Sequence, residues 1–281
     1  MSRRRELEHH RHSLGEIREI MSSMKTLAYM ETRKLARLIE AQQAVITSMA
    51  GATARVLAGY PGVLPKVEPT TSVMLLVGSE RGFCGDFNHA LLTRLKLLLA
   101  EHNGEPPRLM AMGHKLNMLL EQERYDCLCL DGASTADEIP ASLARLVTEL
   151  TGLEQEGVLA LHALYHNADG ELVQTQLLPP FTDMTPAGSN VLPPVINLPA
   201  AALLANLSEH YLFALLHGML YGSLYAENHQ RVTHMEGAVT HLDEEAERLN
   251  QRFNALRQEE ITEEIEVILL NATNLEGGSH L

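Results

Sequence analysis

Residues 232 to 256 read VTHMEGAVTHLDEEAERLNQRFNAL, and this stretch decides how the whole chain is organised. Its apolar residues recur at alternating spacings of three and four, which is the pattern of a coiled-coil seam. The seam positions are Val232, Met235, Val239, Leu242, Ala246, Leu249, Phe253 and Leu256. After a five-residue step the alternation resumes at Ile261, Ile265, Ile268, Ala272 and Leu275. Because no proline follows Pro199, the pattern predicts one helix from about residue 200 to about residue 275.

The first sixty residues supply a partner for that helix. They contain no proline and follow one heptad frame, in which only Glu31 and Gln42 are polar. The apolar positions of this frame are Leu14, Ile17, Met21, Met24, Ala28, Leu35, Leu38, Val45, Met49, Ala52 and Val56. We expect the two helices to pair with each other, although two unrelated amphipathic helices packed on a core remain an alternative.

Charge supports the pairing of these two segments. Residues 1 to 60 hold ten Lys and Arg against six Asp and Glu, a balance of +4. Residues 200 to 281 hold four against thirteen, a balance of −9. Opposite signs favour the mixed pair over pairing of either helix with its own copy.

Composition excludes two classes of function. The net charge of −14 argues against a dedicated nucleic-acid binder, which would concentrate positive charge on its surface. No apolar run reaches the roughly 18 residues of a membrane span. We therefore expect no nucleic-acid partner, and contact with a membrane only through partner proteins.

The three cysteines, Cys84, Cys127 and Cys129, indicate a reducing compartment rather than a disulfide framework. Cys127 and Cys129 stand two apart in a predicted strand, on one face, where a disulfide between them would be strained. We expect all three to be buried free thiols. No cluster of His, Cys and carboxylate residues has the spacing of a metal site, so no metal or other cofactor is predicted.

The middle of the chain, residues 66 to 199, has the pattern of an α/β domain. The run SVMLLV at 72 to 77 is typical of a strand buried on both faces. Strands at 108–112, 125–130, 158–165 and 172–178 and helices at 88–102, 114–124 and 137–150 follow. Strands alternating with helices imply a mostly parallel sheet, with one antiparallel edge pair at the turn NADG, residues 167 to 170.

The predicted fold is an α/β domain with a mostly parallel sheet, plus a long antiparallel two-helix coiled coil formed by the N- and C-terminal helices. Three segments follow from this prediction. Residues 1–60 form the N-terminal coiled-coil helix, and residues 200–281 form the C-terminal one. Residues 66–199 form the α/β domain, which ends in an irregular, proline-rich return segment.

The loop after the first strand, residues 78 to 88, reads GSERGFCGDFN and is where an enzyme of this fold class would bind its ligand. It has neither the G-x-x-x-x-G-K-[ST] nor the G-x-G-x-x-G spacing, and the chain has no G-x-S-x-G. Cys84 beside Arg81 is a candidate nucleophile, but the sequence establishes no His base for it. The glycines instead predict a tight turn, with Asn88 near the N-cap of the next helix.

This loop resembles a motif of the gamma subunit of F-type ATP synthases, S-D-R-G-L-C-G-x-[FY]-N. The present chain differs from the motif at Glu80 and Phe83. The motif residues that it keeps include Arg81, Gly82, Cys84, Gly85 and Asn88.

Two motifs of the last helix extend the resemblance over the chain. The family pattern E-x-x-x-R-M-x-A-M is matched by Glu227, Arg231 and Met235, whereas Val232 and His234 depart from it. The signature Y-N-x-x-R-Q-x-x-I-T-x-E is matched at all but its first position, where Phe replaces Tyr. Its matched members include Asn254, Arg257, Gln258, Ile261, Thr262 and Glu264. Near the start, the family's I-T-K-A-M aligns with residues 23 to 27, which keep Lys25 and place Leu27 where Met is usual.

The resemblance implies a mechanical function without catalysis. In the family, the paired helices stand inside a ring of catalytic and noncatalytic nucleotide-binding subunits, and the α/β domain sits on a membrane-embedded ring. The implied partners are the alpha and beta subunits, the epsilon subunit and the c-ring. The implied location is peripheral, on the cytoplasmic face of the inner or plasma membrane. The departures from the motifs would fit a divergent, sodium-pumping variant.

The resemblance also assigns roles to particular residues. Arg257, Gln258 and Thr262 resemble positions that hydrogen-bond loops of the catalytic subunits. Lys25, Leu27, Arg231 and Glu264 resemble positions that affect the coupling of rotation to catalysis; for each of these residues, a solvated helix face or a salt bridge within the helix pair is the alternative. Two other functions also remain open, a coiled-coil scaffold or tether, and an enzyme with its pocket at residues 78 to 88.

Overall fold

The computed structural model describes residues 2–64, 69–102, 104–155, 157–182, 184 and 194–277. In chain order the helices are α1 Ser2–Gly59, α2 Phe87–Glu101, α3 His114–Gln122, α4 Ile139–Glu154 and α5 Ala200–Gly277. The strands are β1 Thr71–Val77, β2 Arg108–Met112, β3 Cys127–Leu130, β4 Leu159–His166 and β5 Leu172–Leu178. Two compact units contain these elements, one of Ala28–Val232 and one of Met1–Leu27 with Thr233–Leu281.

The larger unit contains the predicted α/β domain. Its five strands have the order β3-β2-β1-β4-β5, and every neighbouring pair is parallel except β4 with β5. The antiparallel pair lies at an edge, and its turn is closed by the hydrogen bond from Gly170 N–H to Asn167 O. The prediction of a mostly parallel sheet with one antiparallel edge pair is therefore confirmed.

Helices cover both faces of this sheet. On one face, α2 and α3 bury Leu91, Leu95 and Leu116 against strand residues such as Leu76. On the other face, α4 packs together with parts of α1 and α5. That core includes Leu75, Met110, Leu143, Leu161, Leu35, Leu216 and Leu220. Since β1 contributes to both cores, its nearly uninterrupted apolar run is explained by burial on two sides.

The two polar positions in the α1 heptad frame have partners in this unit. The Glu31 carboxylate accepts a hydrogen bond from Ala136 N–H at 2.5 Å, and the Gln42 amide donates to Ala214 O at 2.9 Å. Both groups are thus satisfied where an unpaired polar group would destabilise the packing.

Some predictions of detail were wrong. Helix α2 begins at Phe87 with Asp86 as its N-cap, so Asn88 lies near the cap as predicted, and the predicted helix start was one residue late. Strand β3 begins at Cys127 rather than at residue 125. Cys84 is buried, but Cys127 is half-buried and Cys129 is exposed, because β3 is an edge strand that pairs only with β2. Much of the predicted return segment, at 183 and 185–193, lies outside the described residues.

The smaller unit consists of an antiparallel pair of helical segments, the start of α1 and the end of α5. Cross-helix contacts join Arg11 with Asn250, Arg18 with Asp243, and Lys25 with Glu236. Each step along this ladder moves seven residues on both helices in opposite directions, as an antiparallel coiled coil requires. The predicted coiled-coil pairing is confirmed.

Burial along α5 in this unit follows the predicted seam. Met235 and Leu249 are buried, and Val239, Leu242, Ala246, Phe253 and Leu256 are partly buried. Beyond Leu256 the helix continues as predicted, but Ile261, Ile265 and Ile268 are exposed. Arg4 of α1 pairs with Glu260, the residue just before this exposed stretch. Within the described residues, no helix is both long and apolar enough to cross a membrane.

Candidate functional site

A buried carboxylate on α5 binds the loop that follows β1. Glu227 is 3% exposed, and its carboxylate accepts hydrogen bonds from the backbone N–H groups of Glu80 at 3.3 Å and Arg81 at 3.4 Å. The same carboxylate forms an ion pair with Arg231, one helical turn further along α5. Two of the motifs singled out in the sequence therefore meet in one cluster.

Arg231 completes this cluster from the other side of the loop. Its Nε donates to Gly82 O at 3.1 Å, and its Nη1 donates to Asn228 Oδ1 at 2.7 Å. The side chain is almost fully enclosed, so its charge is balanced by Glu227 rather than by water. We name Glu227, Asn228 and Arg231, with loop residues 79 to 82, the loop lock.

Electrostatics in the loop lock are dominated by burial. Enclosure raises the pKa of Glu227 above its ordinary value, while Arg231 and the two loop N–H groups act to lower it. The carboxylate thus depends on these partners for its charge. Removing any of them would leave a buried group that water does not solvate.

The loop is also tied together internally. Asn88 Oδ1 accepts from Ser79 N–H at 2.9 Å, and Asn88 Nδ2 donates to Ser79 Oγ at 2.8 Å. Cys84 Sγ donates to the same hydroxyl at 3.3 Å. Burial raises the pKa of Cys84, the opposite of what an activated thiolate nucleophile needs. Gly85, with φ of 61°, makes the tight turn that the glycines predicted.

Glu80, one of the two loop residues that differ from the family pattern, binds backbone N–H groups of two neighbouring segments. Its carboxylate accepts from His114 N–H at 2.9 Å, at the start of α3, and from Gly132 N–H at 2.8 Å. In doubly wound sheets these amide groups beyond the carboxyl ends of the strands are where phosphates bind. Here the chain's own carboxylates occupy them.

The remaining predicted site residues lie in the helix pair. Arg257, Gln258, Thr262 and Glu264 are exposed on α5, and the Thr262 hydroxyl donates to Gln258 O at 2.9 Å. Lys25 Nζ lies 3.6 Å from a carboxylate oxygen of Glu236.

Leu27 and Phe253 also lie in the helix pair. Leu27 is 65% exposed, since it lies outside the seam positions of α1. The Phe253 ring, at the first position of the terminal signature, has the guanidinium groups of Arg4 and Arg11 at 5.9 and 5.2 Å from its centre.

Sequence reasoning missed two members of the loop lock, Asn228 and Ser79. The only available signal for Asn228 was its position in a helix interior, one residue after Glu227 and three before Arg231. Nothing in the sequence connected Ser79 with Asn88. Among the described residues, no group of three or more His, Cys, Asp or Glu side chains is placed to hold a metal ion.

Comparisons with known proteins agree on one family. A family model described as ATP synthase matches residues 3–275. The ATP synthase gamma chain of Mycolicibacterium paratuberculosis is 27% identical, over 96% of this chain and 97% of its own length. That of Desulforamulus reducens is 24% identical, over 98% and 100%. In fold, the chain is similar to a chain of the Euglena gracilis mitochondrial ATP synthase rotor, with a TM-score of 0.59, 13% identity, and coverage of 92% of this chain and 99% of that one.

Proposed function

The chain belongs to the family of ATP synthase gamma chains, and we propose that its paired terminal helices form the rotating shaft of the central stalk. A central-stalk subunit of an F-type ATP synthase couples ion-driven rotation of a membrane ring to ATP synthesis or hydrolysis at the catalytic subunits. In this chain the shaft comprises the segments 1–60 and 200–281, and residues 66–199 form the foot.

The heptad-spaced ladder of the smaller unit is the observation that carries this proposal. Arg11, Arg18 and Lys25 each contact α5 at a step of seven residues, over a seam closed by Met235 and Leu249. A pair of helices held in one register over several turns resists bending and twisting better than a single helix. Such stiffness is what a shaft needs to transmit torque.

The polar signature on α5 is the proposed contact with the alpha and beta subunits. Arg257, Gln258, Thr262 and Glu264 present donors and acceptors to solvent on one stretch of helix. Exposed polar side chains such as those of Arg257 and Glu264 can form hydrogen bonds with a partner without disrupting the packing of their own chain. The foot contacts the epsilon subunit and the c-ring in the same proposal, which places the chain peripherally on the cytoplasmic side of the membrane.

Arg231 is proposed to affect coupling through the loop lock. Because the guanidinium is enclosed by Glu227, Asn228 and the loop carbonyl of Gly82, it fixes the loop instead of reaching outward to a partner. Lys25 and Leu27 differ from it, since both are accessible on α1. They are proposed to act by direct contact with the surrounding ring.

The chain itself is proposed to have no catalytic function. Glu227 and Glu80 already bind the backbone amides at the carboxyl ends of the parallel strands, where a nucleotide would otherwise be held. The buried Cys84 thiol has a raised pKa and donates to Ser79. Catalysis then belongs to the partner subunits.

A double substitution tests the proposed contact surface. In the assembled complex, Arg257→Ala with Gln258→Ala should lower ATPase turnover at least tenfold, because even one lost hydrogen bond to a charged group costs about 1.5–3 kcal/mol and about 1.4 kcal/mol is a factor of ten in rate. The free energy of unfolding of the isolated chain should change by less than about 0.5 kcal/mol, since both side chains are exposed.

The matched control is Gln251→Ala with Arg252→Ala, which removes the same two residue types from exposed positions of α5 outside the signature. This control should keep the turnover of the unmodified complex. Equal turnover in the two double variants would show that Arg257 and Gln258 are ordinary surface residues, and would contradict a contact with the catalytic subunits there.

A further inference from the structure

Two free thiols lie side by side on the outermost parallel strand of the sheet. Cys127 is half-buried and Cys129 is exposed, and among the strands that the structure describes β3 pairs only with β2. Residues two apart on a strand point to the same face, so both side chains extend from one side of this edge. The proposed shaft function uses neither of them.

Each thiol contacts a backbone carbonyl of its own strand. Cys129 Sγ reaches back to Cys127 O at 3.7 Å, and Cys127 Sγ lies 3.7 Å from Leu128 O.

Strand geometry disfavours a disulfide between them. Same-face residues of a strand are separated by about 6.6 Å, twice the rise per residue. A disulfide needs its Cβ atoms about 3.5–4.5 Å apart, so closing one would distort β3. A bridging metal ion relaxes this demand, because two metal–thiolate bonds of about 2.3 Å separate the sulfur atoms by up to about 4.6 Å.

The number of ligands selects the kind of ion. Zinc in a structural site takes four ligands, and the described residues contain no cluster of even three metal-binding side chains. Two thiolates alone suit a soft ion that accepts linear, two-coordinate binding, as copper(I) does.

We propose that Cys127 and Cys129 form a two-thiolate binding site for a soft monovalent cation of the copper(I) class. On binding, each thiol releases its proton to water and each sulfur forms one bond to the ion. No electrons are transferred, and no disulfide forms. Because two protons leave, binding becomes tighter as the pH rises.

Competition with a coloured chelator measures this site in the purified full-length chain. Under anaerobic, reducing conditions, the chain should withdraw one equivalent of copper(I) from its bicinchoninate complex. Cys127→Ser and Cys129→Ser should each weaken binding at least tenfold, because a single thiolate cannot hold the ion from two sides. Alkylation of the exposed Cys129 in the unmodified chain should have the same effect, independently of any folding defect in a variant.

The matched control is Cys84→Ser, which removes the third thiol, buried against Ser79 and away from β3. Copper binding of this variant should equal that of the unmodified chain. Three results would overturn the proposal: no binding at one equivalent, loss of binding in Cys84→Ser alone, or ready closure of a Cys127–Cys129 disulfide by diamide in the folded chain.

Discussion

At the scale of single residues, the position that matters most for stability is Glu227. Ion pairs at the surface, such as Arg18 with Asp243, contribute little to stability, because water screens both charges. Glu227 and Arg231 are instead enclosed by protein, at 3% and 5% side-chain exposure, so water hardly screens their charges. A buried pair adds little compared with an apolar pair, yet breaking it by removing one partner is costly.

Arg231→Ala should therefore lower the free energy of unfolding of the chain by about 3–5 kcal/mol, because it leaves the Glu227 carboxylate buried without its cation. Adding Glu227→Gln should recover part of this loss, because it removes the unpaired buried charge. Its single amide oxygen still accepts from one of the two N–H groups, those of Glu80 and Arg81, that the two carboxylate oxygens bind in the unmodified chain. Urea unfolding followed by circular dichroism measures both variants. Arg252→Ala, at an exposed position of the same helix, is the control. If Arg231→Ala is no more destabilising than this control, the loop lock does not stabilise the fold.

At the scale of elements, the helix pair depends on its seam more than on its ladder of charges. The ladder contacts are largely solvent-exposed, and Lys25 and Glu236 are 3.6 Å apart at their nearest charged atoms. Leu249, by contrast, is 4% exposed, and full burial of a leucine contributes about 1.5–3 kcal/mol. The ladder sets register and direction, and the seam provides most of the stability.

Leu249→Pro should kink or break α5 within the seam and prevent assembly of the ATPase complex. Proline removes a helix hydrogen bond and clashes with the preceding turn, at a cost of about 3 kcal/mol or more. Native gel electrophoresis of the complex and circular dichroism of the chain are the measurements. Leu249→Ala loses the packing but keeps the helix, so it should destabilise by about 2–5 kcal/mol while α5 stays continuous. If the Leu249→Pro variant assembled normally, a continuous α5 would not be required for assembly of the complex.

At the scale of the whole molecule, the chain keeps the sheet order of many nucleotide-binding proteins without the corresponding site. The order β3-β2-β1-β4-β5 reverses direction beside β1, where ligands of doubly wound sheets are held. Glu227 and Glu80 place two carboxylates beyond the carboxyl ends of these strands and bind the backbone N–H groups there. An incoming phosphate would have to displace them against repulsion of like charge.

Millimolar Mg-ATP should therefore shift the thermal unfolding midpoint of the isolated chain by less than about 1 °C. A ligand present at 100 times its dissociation constant would add about 2.7 kcal/mol, which corresponds to a shift of several degrees. Differential scanning calorimetry measures this, with sodium sulfate at equal ionic strength as the control for salt effects. A rise of several degrees with ATP alone would show a nucleotide site and contradict a purely mechanical function.

The elements were predictable because their signals are local. A seam repeating at three and four residues, or a strand apolar at every position, reflects burial that a single segment reports by itself. The helix bounds of α1 and α5 and the strands β1, β2, β4 and β5 were accordingly predicted to within about two residues. The end of α4 was less accurate, at Glu154 instead of residue 150, because helix ends depend on neighbouring elements as well as on the segment itself.

The sequence by itself determined two long amphipathic helices of opposite charge, an α/β segment between them, and the motifs that identify the family. Only the tertiary structure decided that Glu227 and Arg231 hold a loop nearly 150 positions away, as the hydrogen bonds to Arg81 and Gly82 show. Only the structure placed Cys129 on an open edge. The reason is physical: burial, pairing and strand order are set by contacts between distant segments, and the hydrophobic periodicity of a single segment contains no information about those contacts.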